Sequence, residues 1–130
     1  MNKFDGDGAL CVFGAPGDLP DHRAAALRAA RRLRDRLAAL PPGIAAGIGV
    51  SSGTVTAGNV GAEERFEYTV IGDPVNEAAR VTETAKARPG RVLASEPTVL
   101  GSGAEAECWE RVGEETLRGR VAPTVLYAPR

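Results

Sequence analysis

Glu67-Tyr68-Thr69-Val70-Ile71-Gly72-Asp73-Pro74-Val75-Asn76-Glu77-Ala78-Ala79-Arg80 reads as a strand that passes through a tight turn into a helix. Phe66, Tyr68 and Val70 alternate with Glu67, Thr69 and Ile71, which puts an apolar face and a mixed face on one strand. Gly72 breaks the strand, Asp73 is expected to cap the helix, and Pro74 suits its first position. Asn76 and Arg80 are four residues apart, so a helix projects both from one face. An amide beside a guanidinium is suited to an oxygen-rich, negatively charged ligand.

The segments on either side continue the alternation of strand and helix. Lys3 to Gly14 is expected to form a hairpin around Asp5-Gly6-Asp7-Gly8, with Ala9 to Phe13 as its second strand. After a Pro- and Gly-rich loop, Asp21 begins a helix to about Leu40. Its stripe is Leu27, Ala30, Leu33, Leu37 and Leu40, and Pro41-Pro42-Gly43 ends it. Ile44–Val50 and Thr54–Val60 read as strands joined at Ser51-Ser52-Gly53. The helix that opens at Asp73 is expected to reach about Lys86. Beyond it lie a strand at Arg91–Ala94, a short helix at Glu96–Leu100, and closing strands at Cys108–Val112, Thr116–Leu117 and Thr124–Ala128. With no repeat or linker, this order indicates one α+β or mixed-sheet domain.

The bulk properties exclude several classes. A chain of 130 residues with 43% hydrophobic and 25% charged residues is an ordinary globular domain. A net charge of −1 gives no electrostatic footprint for nucleic acid. No apolar run approaches the roughly 20 residues that span a bilayer, and Met1 to Asp5 does not begin a signal peptide. Cys11 and Cys108, both in strand-like stretches, are expected to be reduced and buried. A cytoplasmic domain is the expectation.

Few residues are candidates for chemistry. Asp7, in a glycine-flanked turn, is placed either as ordinary turn chemistry or as a carboxylate for a hard cation. Lys3 precedes it by four residues on the incoming strand. Six arginines between Arg23 and Arg36 surround the leucine stripe with Asp21 and Asp35 among them, which describes a solvated helix face. His22 has no second ligand at metal-binding spacing. The glycines from Gly47 to Gly53 do not match a dinucleotide fingerprint, and Trp109 reads as core.

Asn2-Lys3-Phe4-Asp5-Gly6-Asp7-Gly8-Ala9-Leu10-Cys11-Val12-Phe13-Gly14-Ala15-Pro16 comes first, followed by Gly47 to Gly53, Ala57-Gly58-Asn59-Val60-Gly61 and the 67–80 stretch. Taken in that order, they resemble the class III nucleotidyl cyclase catalytic domain, the adenylate/guanylate cyclase family. The resemblance is dense from residue 2 to about 95. It implies that Asp7 is one of two metal-binding aspartates, for Mg²⁺ or Mn²⁺. It also implies that Lys3 and Thr69 recognise the purine edge, a combination similar to the Thr-containing bacterial adenylyl-type subclass. Asn76 matches the asparagine that orients the ribose, and Arg80 the arginine that meets charge on the α-phosphate. Arg120 falls where the family places a phosphate-binding lysine.

The implied activity is that of an adenylate cyclase, which converts ATP to 3′,5′-cyclic AMP and pyrophosphate by two-metal catalysis. The family's site lies between two catalytic domains, so a homodimer or a pairing with another cyclase domain is implied. The family's Phe-x-Asp-Ile-x-Gly strand, which carries the first metal aspartate, has no counterpart in these residues. The fold expected for residues 1–130 is therefore the C-terminal part of a ferredoxin-like cyclase domain, without its first strand and the helices after it, and with impaired activity. The alternative is a catalytically inactive cyclase-like module for nucleotide binding, regulation or dimerisation.

Overall fold

A computed structural model describes residues 3–5, 8–14, 19–40, 46–60 and 67–130. In chain order the elements are β1 (Lys3–Asp5), β2 (Gly8–Leu10), α1 (His22–Ala38), β3 (Ile48–Val50), β4 (Thr56–Val60), β5 (Glu67–Ile71) and α2 (Asp73–Ala85). They continue with β6 (Val92–Ser95), α3 (Glu96–Leu100), a 3-10 turn (Gly103–Cys108), β7 (Trp109–Glu115) and β8 (Thr124–Pro129). β1 and β2 pair antiparallel, as do β4 and β5. The remaining strands form a four-stranded sheet in the order β3-β6-β8-β7, with β3 parallel to β6 and the other pairs antiparallel.

The centre of that sheet is β6, buried at all four of its positions. Successive side chains on a strand point to opposite faces, so a fully buried strand needs cover on both sides. Val92 and Ala94 pack with Leu27 and Ala30 of α1 and with Val50, Val99 and Trp109. Leu93 packs on the other face with Val81 and Ala85 of α2 and with Leu117 and Leu126. The two helices thus sandwich the sheet, and Leu27, Val81, Ala85, Leu93 and Ala94 have no exposed surface. Each large apolar side chain buried this way contributes about 1.5–3 kcal/mol.

The mixed α+β architecture matches the expectation from sequence, and its details differ in instructive places. The second hairpin strand stops at Leu10 rather than Phe13, and Cys11, just after it, is exposed. Cys108 closes the 3-10 turn and is half-buried against the Leu27–Trp109 cluster, so neither free thiol lies in a strand and neither is fully buried. Of the expected strand from Ile44, residues 44–45 lie outside the described residues and β3 covers Ile48–Val50. No strand forms at Thr116–Leu117. β7 runs on to Glu115 through a bulge between Arg111 and Gly113, and Leu117 turns into the core.

The α1 stripe is buried only in its first half. Leu27 and Ala30 face the sheet, whereas Leu33 and Leu40 are nearly half exposed. Nor is the arginine face simply solvated. Arg31 grips Glu105 bidentately, at 2.6 Å from Nε to Oε2 and 2.7 Å from the terminal nitrogen to Oε1. Trp109 Nε1 donates to the same carboxylate at 2.9 Å. Arg23 reaches Ser52 Oγ at 3.3 Å, and Ser52 in turn contacts Thr98, which meets the buried Ser95. These side chains tie α1 to the sheet where apolar packing runs out.

Burial alone pushes the Glu105 carboxyl up, but the hydrogen bonds from Arg31 and Trp109 outweigh it and hold the group below the ordinary glutamate value. A carboxyl lowered on folding stabilises the protein above its unfolded value, and that contribution is lost as pH falls through the folded one. Glu105→Gln is expected to cost about 1–3 kcal/mol at neutral pH. The gap in urea midpoint between parent and variant should narrow as pH drops below about 4.3. A constant gap across that range would rule out the charge linkage.

Candidate active site

β5 delivers the chain to Gly72, which adopts φ +155°, a backbone that L side chains rarely take. A Cβ there would lie 3.3 Å from Thr54 O and Val55 Cα. The Gly72 carbonyl accepts from the backbone N–H groups of Val75 at 3.1 Å and Asn76 at 3.4 Å, so Gly72 is the cap. Asp73 is instead the first helical residue and makes no capping bond, a departure from the sequence expectation. Its carboxylate turns to Arg120, and only the helix dipole still benefits from its charge.

α2 is seated almost directly on the β3 backbone. A Cβ on Gly49 would stand 2.5 Å from Thr82 N and Oγ1 and 2.7 Å from Ala78 O. At Gly47 it would meet Thr82 O at 2.5 Å, and at Gly53 the ring of Pro74 at 2.7 Å. The glycines around β3 therefore serve close packing of strand against helix, which fixes where the first turns of α2 sit.

On those turns Asn76 is exposed and Arg80 half-buried, with Arg80 3.7 Å from the Glu83 carboxylate. Arg120 arrives from the β7–β8 connection, 2.8 Å from Asp73 Oδ1 and 3.2 Å from Glu77 Oε2. Three of the predicted site residues, Asn76, Arg80 and Arg120, are thus gathered at one helix start from two distant parts of the chain. Glu77 also accepts from Ser51 Oγ. Its side chain is 13% exposed, against 71% for Asp73, so the inner pair is the better shielded of the two.

Sequence reasoning missed Asp73, Glu77 and Ser51 as neighbours of Arg120. One signal was available: Asp73 and Glu77 are like charges four apart on a helix, which repel unless a cation intervenes. Thr69 lies on β5 opposite Gly58 of β4, and Lys3 on β1 opposite Leu10 of β2. These strands belong to two separate two-stranded pairs. Asp7 lies outside the described residues. Among the described ones no group of three or more His, Cys, Asp or Glu is placed to hold a metal ion. No helix there is long and apolar enough to cross a membrane.

Comparison with known proteins assigns this arrangement to a family. Residues 4–127 match the adenylate and guanylate cyclase catalytic domain. An uncharacterised protein of Mycobacterium tuberculosis strain H37Rv is 55% identical over 131 residues, covering 99% of this chain. Another from the same strain is 52% identical over 130 residues, again covering 99%. The chain spans about a quarter of these relatives, 23% of the first and 24% of the second.

Among solved structures, the catalytic core of a rhodopsin-guanylyl cyclase with converted specificity, in complex with ATPαS, superposes with a TM-score of 0.69 at 25% identity. That match covers 91% of this chain and 65% of that one. The adenylyl cyclase CyaB of P. aeruginosa gives 0.62 at 26%, covering 88% and 63%, and the guanylyl cyclase Cya2 gives 0.58 at 28%, covering 88% and 61%. With the fold, the order of its motifs and these matches in agreement, the chain belongs to the adenylate and guanylate cyclase catalytic domain family.

Proposed function

We propose that the chain supplies the substrate half of an adenylate cyclase site, completed by a second catalytic domain in a homodimer or a mixed pair. The observation that carries this reading is the convergence of Arg120 on the first turns of α2, where Asn76 and Arg80 project. An amide and two guanidiniums at one helix start suit a ribose and its phosphates, because charge-assisted bonds to phosphate oxygens are about twice as strong as neutral ones.

In the reaction so assigned, the ribose 3′-oxygen bonds to the α-phosphorus while the bond from that phosphorus to the pyrophosphate oxygen breaks. Asn76 holds the ribose so that its hydroxyl faces phosphorus, a matter of orientation. Arg80 meets the charge that builds on the α-phosphate oxygens, where a well-placed donor is worth about 3–4 kcal/mol. Arg120 meets the remaining phosphates. Lys3 and Thr69 read the adenine edge, and the choice of ATP over GTP rests on those two residues. Members of this family generally use divalent metal ions. Here Mg²⁺ or Mn²⁺ would be held in part by Asp7 and, when bound, would neutralise phosphate charge.

Incubated with ATP and Mn²⁺, the chain is expected to form cyclic AMP, and Asp7→Ala to reduce the yield at least about tenfold. Absence of product from the parent, or equal product from the variant, would leave the inactive nucleotide-binding or dimerisation module as the reading. Lys3→Glu combined with Thr69→Cys is expected to weaken the preference for ATP over GTP, read as the ratio of kcat/KM values. An unchanged ratio would remove both residues from base recognition.

A further inference from the structure

The face of α2 beside Asn76 and Arg80 carries a second set of polar contacts, centred on a carboxylate that the reaction leaves unused. Glu77 accepts from Ser51 Oγ, at the end of β3, and pairs with Arg120, from the β7–β8 connection. One carboxylate thus bridges two segments that are 69 residues apart in the chain, from a side chain only 13% exposed. We propose that Glu77 is a positioning residue, which sets the roll of α2 about its axis and thereby the direction in which Asn76 and Arg80 point. The inference deepens the cyclase reading and rests on it for its kinetic consequence.

Helical geometry carries the argument. Successive residues turn by about 100°, so residues 78 and 82 lie on one side of α2, and residues 76 and 80 nearly opposite. Ala78 and Thr82 are the residues pressed on Gly49. That contact fixes the distance between helix and strand, and Val81 and Ala85 anchor the second half of α2 in the core, but its first turns carry no fully buried side chain to fix their roll. Glu77 lies between the two sides, about 60° from Arg80, whereas Asp73 is on the Arg80 side, about 20° from it. Anchoring Glu77 at Ser51 on one hand and at Arg120 on the other fixes that roll. Asp73 adds an outer contact to Arg120, but at 71% exposure it is screened and worth little. The inner carboxylate is therefore the one that matters.

The geometry also separates bridging from mere charge. Glu77 spans from the helix to both partners at once, and an aspartate, one methylene shorter, retains the charge without the reach. A displacement of the order of 1 Å at Asn76 is enough to lower a cyclisation rate about 100-fold.

The test compares Glu77→Gln and Glu77→Asp with the parent chain in two measurements. The first is amide hydrogen exchange without nucleotide, in which both variants are expected to exchange at least about tenfold faster at residues 75–80, with β7 and β8 unchanged. The second is cyclic AMP formation, in which both are expected to lower kcat at least about tenfold, a larger factor than any change in KM for ATP that freeing Arg120 brings. Unchanged exchange at residues 75–80 overturns the proposal whatever the activity. So does a rise in KM at constant kcat, or full rescue by aspartate. A parent chain that makes no cyclic AMP overturns the cyclase reading instead, and the exchange measurement still decides whether Glu77 braces the helix.

Discussion

Helix α2 rests on strand β3 at a separation that only glycine permits, and most of the molecule is arranged around that contact. With the Ala78 carbonyl and the Thr82 amide within 3 Å of where a Gly49 Cβ would stand, no larger residue fits unless the helix moves. The close seat brings Val81 and Ala85 onto Leu93 and Leu126, closing one face of the sheet. It also determines where the β5–α2 turn emerges, and with it the position of Asn76 and Arg80. A packing constraint between a strand and a helix is in this way the origin of the site's geometry.

The opposite face of the sheet is closed by a different balance of forces. α1 contributes Leu27 and Ala30, and beyond them its apolar stripe leaves the sheet. Arg31, Glu105 and Trp109 take over there, with a carboxylate 7% exposed that accepts three hydrogen bonds. Desolvation of that carboxylate opposes folding, and the two strands of the guanidinium fork together with the indole N–H offset it. The buried hydroxyls of Ser95 and Thr98 satisfy each other in the same region, and no buried side-chain polar atom is left without a partner among the described residues. α1 is thus positioned by polar pairing as much as by apolar burial.

Much of this was legible in the residues. The alternation and breakers of 67–80 correctly announced β5 and α2, and the Asp-Gly hairpin, α1, β6, α3 and β8 fell close to their expected places. These are local decisions, set by period, turn chemistry and breakers within a few residues. The readings that differed concern where elements end and what packs against them. Gly72 rather than Asp73 is the cap because its carbonyl takes the first helical bonds, and the Asp73 carboxylate instead meets Arg120, 47 residues later. Cys11 is exposed just past the end of β2, and the α1 stripe is fully buried only at Leu27 and Ala30.

The sequence by itself determined the family, since its motifs stand in order along the chain. It also determined that Asn76 and Arg80 share a helix face, since a spacing of four residues guarantees it. Only the tertiary structure decided that Arg120 joins them and that Glu77 and Ser51 lock the same turn. It also gave the glycines of β3 their part as a seat for a helix. The physical reason is that helix and turn formation are read from neighbours, whereas ion pairs and close backbone contacts arise between segments whose separation in the chain carries no trace of their proximity in space.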